Sequence, residues 1–77
     1  MLYYFWKLGK EGKFEMKTVC FIVEMNSSNE IMFEQLDDYG FDYYCDEYWL
    51  APGYMEIYID YYPHEIQELE NIMKWYV

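Results

Sequence analysis

The chain has 77 residues and a net charge of −10, with 15 Asp and Glu against five Lys and no Arg. That balance argues against direct binding to nucleic acid or to an anionic membrane, since both recruit Lys and Arg. At 55 % apolar and 25 % aromatic, the chain has the material for one small folded domain spanning 1–77 and lacks the composition of a disordered segment.

Residues 2 to 8, LYYFWKL, are aromatic-rich without Gly or Pro, and they predict a strand. Gly9-Lys-Glu-Gly12 is a turn of hairpin length. A second strand follows over 13–25. Its stretch from Val19 to Val23 is apolar on both faces, as expected of a central strand covered at least partly on both sides.

Ser27 and Glu30 have the spacing of a capping box, which predicts a helix over 28–38. Met32, Leu36 and Tyr39 form its apolar stripe, with Ile31 and Phe33 beside it. Asp37 and Asp38 in the last turn oppose the helix dipole, which hints that acids here serve something besides the helix. Gly40 is the expected left-handed residue after the helix.

From Phe41 the period becomes two. Phe41, Tyr43, Cys45, Glu47 and Trp49 point one way; Asp42, Tyr44, Asp46 and Tyr48 point the other. Glu47 is the misfit of the inward set, a sign of a bulge or of an earlier strand end. Ala51-Pro-Gly53 turns the chain. The next strand sets Met55, Ile57, Ile59 and Tyr61 against Tyr54, Glu56, Tyr58, Asp60 and Tyr62. Pro63 opens the last helix, whose stripe is Ile66, Leu69, Ile72, Met73 and Tyr76. Trp75 and Val77 make the end of the chain apolar enough that docking is expected.

The fold class read from this order is α+β: β-β-α-β-β-α, a four-stranded, mostly antiparallel sheet with both helices packed on one face. The other face then carries the acidic and tyrosine side chains.

Motifs for chemistry are weak, so no catalytic residue, cofactor site or metal site is assigned. His64 is the single histidine, at a solvated helix start, with no nucleophile motif around it. Two Cys and one His lack zinc-ligand spacing. Asp37, Asp38, Asp42, Asp46 and Glu47 do not follow the calcium-loop register. No Gly-rich phosphate loop occurs. Two cysteines are too few for a disulfide scaffold, and no signal peptide or apolar run of membrane-spanning length is present. The sequence reads as cytoplasmic, with Cys20 and Cys45 reduced. A Cys20–Cys45 bridge is the alternative, since the alternation places both inward.

The densest signal lies in residues 37–62, with eight tyrosines, seven carboxylates and no Lys or Arg. Tyrosine offers a large contact area with few torsions to freeze, and carboxylates between the rings accept paired hydrogen bonds from a partner's guanidinium groups. The candidate partner-binding residues are Asp37, Asp38, Asp42, Tyr44, Asp46, Tyr48, Tyr54, Glu56, Tyr58 and Asp60, with Asp37 and Asp38 at the rim. Asp42 to Asp46, and Glu56 to Asp60, each span roughly 13 Å along a strand at about 3.3 Å per residue. That spacing approximates about four base steps of DNA.

In composition the chain is similar to the small acidic proteins that phages and mobile elements direct against restriction, nuclease or CRISPR systems, such as anti-CRISPR and anti-restriction proteins. The likeness is one of class and rests on no shared motif. It implies a nucleic-acid-mimicking inhibitor or decoy whose partner is a basic, nucleic-acid-binding protein. The alternative reading is a non-enzymatic structural or regulatory module that forms a homodimer or joins a complex through apolar and edge-strand contacts.

Overall fold

The computed structural model describes the backbone of residues 2–4 and all of residues 15–77. Five longer elements form the body of the fold: β2 (Lys17–Glu24), α1 (Asn29–Asp38), β3 (Asp42–Glu47), β4 (Tyr54–Tyr61) and α2 (Ile66–Met73). A short β1, Leu2–Tyr4, precedes them. The rest of the strand expected over 2–8, and the turn at 9–12, lie outside the described residues.

The fold is α+β, with two helices and an antiparallel sheet in which β4 lies between β2 and β3. β1 adds a three-residue rung to β2, pairing Leu2–Tyr4 with Thr18–Cys20. Because β2 and β3 both run antiparallel to β4, they are parallel to each other. The segment β2-α1-β3 is therefore a split β-α-β unit whose gap is filled by β4. The same order sets the antiparallel pairs β1–β2 and β3–β4 side by side, with β2 against β4; sequence order alone does not say which strands meet.

The core lies on one side of the sheet. Val19, Phe21 and Val23 of β2 and Met55, Ile57, Ile59 and Tyr61 of β4 meet Met32 and Leu36 of α1 and Leu69, Ile72 and Met73 of α2. β4 alternates buried and more exposed residues along its whole length, as its sequence predicts. Val23, Met32, Leu36, Ile57, Ile59, Leu69 and Met73 are fully buried. Each contributes about 1.5–3 kcal/mol of burial, which is how a small, self-repelling chain retains a core.

The end of α1 follows its expected form. Gly40 has φ +80°. Its N–H donates to the carbonyl of Asp37 at 3.0 Å, and Phe41 N donates to Leu36 O at 2.9 Å. This is a Schellman closure, with Phe41 and Leu36 meeting in the core.

The start of α1 differs. Ser28 is the N-cap and its side chain makes no capping bond to the helix. Ser28 Oγ donates instead to Asn26 Oδ1, which also accepts from Ser28 N at 2.9 Å. Asn29 Oδ1 accepts from Asn26 N at 2.9 Å, and Asn29 Nδ2 donates to Glu24 O at 3.1 Å. An asparagine lock therefore replaces the Ser27–Glu30 capping box. It succeeds because Asn carries both a donor and an acceptor, and so binds both sides of the turn.

Three further expectations are corrected. Tyr39 and Ile31, placed on or beside the α1 stripe, are about half exposed, because Tyr39 caps the helix. Of the two readings of Glu47 the earlier strand end holds and the bulge does not, so Trp49, expected inward, is 83 % exposed in the following turn. Cys20 and Cys45 lie on opposite faces: Cys45 shares a row with Ile57 and Phe21, whereas Cys20 shares one with Tyr58. That arrangement rules out the Cys20–Cys45 bridge, and neither thiol is in a disulfide.

The last helix begins as a 3-10 turn, Pro63–Glu65. Glu65 Oε1 accepts from Tyr62 N at 2.9 Å. Tyr76 packs against the core, and its hydroxyl donates to Gln35 Oε1 at 2.9 Å. Trp75 and Val77 stay exposed, so the docking expected of the C-terminal residues is carried by Tyr76.

Candidate functional site

The face of the sheet opposite the helices is built from strand register. In one row Asp42 of β3 pairs with Asp60 of β4, and Asp60 with Thr18 of β2. Tyr44 pairs with Tyr58, and Tyr58 with Cys20, in the next. Asp46, Glu56 and Ile22 form the third row, and Tyr54 pairs with Glu24 in the last. Acidic and aromatic rows alternate because the strand period of two is matched by residues two apart in both chains. Neighbouring strands lie about 4.8 Å apart, so each acidic row sets two carboxyl-bearing residues side by side.

The centre of the face is a stacked pair. The rings of Tyr44 and Tyr58 have centroids 4.9 Å apart and planes 11° from parallel. Tyr58 is half-buried and Tyr44 is 62 % exposed, so the stack offers its β3 side to solvent.

The β4 acids are held in place. Thr18 Oγ1 donates to Asp60 Oδ1 at 2.7 Å, and the Tyr58 hydroxyl donates to Glu56 Oε1 at 2.8 Å. The latter bond, with partial desolvation, raises the Tyr58 pKa above its ordinary value of 10.0, because a phenolate has no proton to donate. Asp42 and Asp46 on β3 are exposed. The face thus has two positioned carboxylates and two at the solvent edge.

Among the described residues no lysine lies in the acidic rows of this face. Among the described residues the lysines are Lys17 and Lys74. Lys17 sits in the Tyr61 row, on the core parity, and Lys74 ends α2. Like charges directly opposite in a sheet are destabilising. The Asp42–Asp60 and Asp46–Glu56 pairs therefore weaken the fold that carries them.

Seven of the ten sequence-selected residues meet here: Asp42, Tyr44, Asp46, Tyr54, Glu56, Tyr58 and Asp60. Tyr48 follows the end of β3, outside the paired rows, and is half-buried. Asp37 and Asp38 end α1 behind the sheet. The Asp37 carboxylate lies close enough to the Tyr43 hydroxyl to act on it, and the Tyr43 ring stacks on Phe33 of α1, centroids 5.3 Å apart. Burial and the adjacent Asp37 carboxylate both raise the Tyr43 pKa. These two acids belong to the helix side and do not rim the face. Thr18 and Glu24 join the face without having been selected; β2 does not alternate clearly, and register against Asp60 and Tyr54 places them there.

Among the described residues no three His, Cys, Asp or Glu side chains are grouped to hold a metal ion. No described helix is long and apolar enough to cross a membrane. No family model matches the chain, and no curated protein or solved structure matches it.

Proposed function

We propose that this protein is a small acidic decoy that occupies the nucleic-acid-binding surface of a basic protein, acting by occupancy and not as an enzyme. The observation that carries the reading is the sheet face on which two carboxylate rows flank the Tyr44–Tyr58 stack, with no lysine in those rows among the described residues. The rows lie roughly 13 Å apart along the strands. A surface of that kind steers encounter with a basic cleft, so association is fast and salt-sensitive. Arg side chains of the target pair with the carboxylates and stack on the tyrosine rings, which slows dissociation. In class this is the strategy of anti-restriction and anti-CRISPR inhibitors made by phages and mobile elements, working in the cytoplasm of the host cell.

The experiment is capture from lysate of the native host with the purified protein as bait, washed in parallel at low and high salt and with DNA. A basic nucleic-acid-binding protein held at low salt and displaced by salt or DNA supports the decoy. Retention of only the protein itself, or of a neutral partner indifferent to salt, contradicts it.

One observation favours a second reading. Trp49 and Leu50, in the turn between β3 and β4, are each 83 % exposed. They border the edge strand β3, and large apolar side chains beside an open edge suit a homodimer or a place in a larger complex. In that reading the charge serves solubility, and association is insensitive to salt.

A further inference from the structure

Among the described residues β1 pairs with Thr18, Val19 and Cys20, and β2 continues beyond that pairing to Glu24. Beside that extension lies a cavity of about 310 Å³, whose wall includes Glu24, Tyr54, Trp75 and Tyr76. Three aromatic side chains from two parts of the chain, together with one carboxylate, border a single hollow. We propose that this cavity is a binding site for the ammonium head of a lysine side chain presented by a partner.

The chemistry follows from the lining. An ammonium over an aromatic face is attracted by the ring quadrupole, most strongly for tryptophan, and a nearby carboxylate supplies the counter-charge. Trp75 already attracts a cation, since Lys74 Nζ lies 5.5 Å from a ring centroid. Glu24 is exposed on the face side of β2, opposite Tyr54. Its row partner is Tyr54, and no lysine among the described residues shares that row.

Two parts of the wall are tied to the fold before any ligand arrives. Asn29 Nδ2 holds the carbonyl of Glu24 at 3.1 Å, and the Tyr76 hydroxyl is held by Gln35 at 2.9 Å. Both ties end on α1. Fastening these two parts of the wall lowers the cost of ordering them on association. The inference goes beyond the decoy proposal and stands without it: the cavity lies at the end of β2, past the carboxylate rows, and its test uses no target protein.

The probe is Nα-acetyl-lysine methylamide, with the norleucine compound as its neutral counterpart. Each is titrated into the 77-residue protein at constant ionic strength and followed by NMR. The expected result is a saturable shift of the Trp75 indole N–H and of Tyr54 and Tyr76 with the lysine compound, and none with norleucine. Trp75→Leu is expected to weaken binding about tenfold, the loss of one good cation–ring contact. Glu24→Gln, an exposed and nearly isosteric change, weakens it several-fold and keeps the spectrum of the folded protein. Equal shifts with norleucine overturn the proposal, as do shifts spread over Asp42, Asp46 and their neighbours without saturation at Trp75. Undiminished binding by Glu24→Gln overturns it as well.

Discussion

Tyr44 and Tyr58 face each other across the edge of the sheet, ring centroids 4.9 Å apart, and one of the two is mostly in solvent. A stack of this kind contributes about 0.5–1.5 kcal/mol. Tyr44→Ala is therefore expected to lower stability by about that amount, since little apolar area of an exposed ring is lost. Its effect on partner binding is expected to be larger, about 2 kcal/mol or more, as for an aromatic anchor at the centre of an interface. Urea denaturation and an affinity measurement on the same variant separate the two effects. A loss of stability without a loss of affinity would assign the stack to the fold alone.

The carboxylate pairs make the opposite prediction. Asp46 faces Glu56 directly across β3 and β4. Asp46→Asn removes the repulsion and keeps an oxygen to accept from Glu47 N, a bond of 2.8 Å. Stability is expected to rise by roughly 0.2–1 kcal/mol at low salt, with the gain shrinking as salt screens the pair. Binding to a basic partner is expected to weaken. Gain in one and loss in the other is what a charge retained for recognition predicts; if both are unchanged, Asp46 is merely solvated.

The asparagine lock distinguishes two versions of the α1 start. Asn29 joins Asn26 N to Glu24 O and is 9 % exposed. Asn29→Ala leaves both backbone groups without that partner and is expected to cost about 1–3 kcal/mol. Ser27→Ala is expected to change stability by less than about 0.5 kcal/mol. The reverse ranking in denaturation midpoints would restore the capping box.

Much of the fold was legible in the sequence where one physical signal dominated. β4 alternates without exception, α2 carries one unbroken stripe, and Gly40 sits where only a left-handed residue closes the helix. The misreadings have a common cause. The alternation of β3 continues in the sequence past Glu47, where pairing to β4 ends, so Trp49 inherited a direction that no neighbour enforces. Cys20 lies in a run apolar on both faces, and only register against Tyr58 decides its side. Asp37 and Asp38 were grouped with the face by charge, whereas the Schellman turn at Gly40 returns the chain to the sheet and leaves them behind it.

Alkaline titration tests the Tyr58–Glu56 bond. Tyr58 has a folded-state pKa raised above 10.0, so its neutral form is favoured by folding. The stability that this provides is fully present below about pH 10 and is lost as pH rises from there through the raised folded value. Phenolate absorbance is expected to show a late component that Tyr58→Phe reduces. In the same variant the loss of stability above about pH 10 is expected to become shallower. An alkaline profile identical to that of the parent protein would mean that the hydroxyl is not held by Glu56.

The account turns on whether the carboxylate rows meet a basic surface. The most direct measurement is the affinity of the Asp46→Lys, Asp60→Lys double variant for the basic protein retained by the bait, across a salt series, with urea denaturation confirming that the variant is folded. The decoy account predicts that the unaltered protein binds tightly at low salt and loses affinity steeply as salt rises, while the folded double variant binds weakly throughout. Equal affinity of the two proteins at low salt would contradict it and assign the interface to another surface.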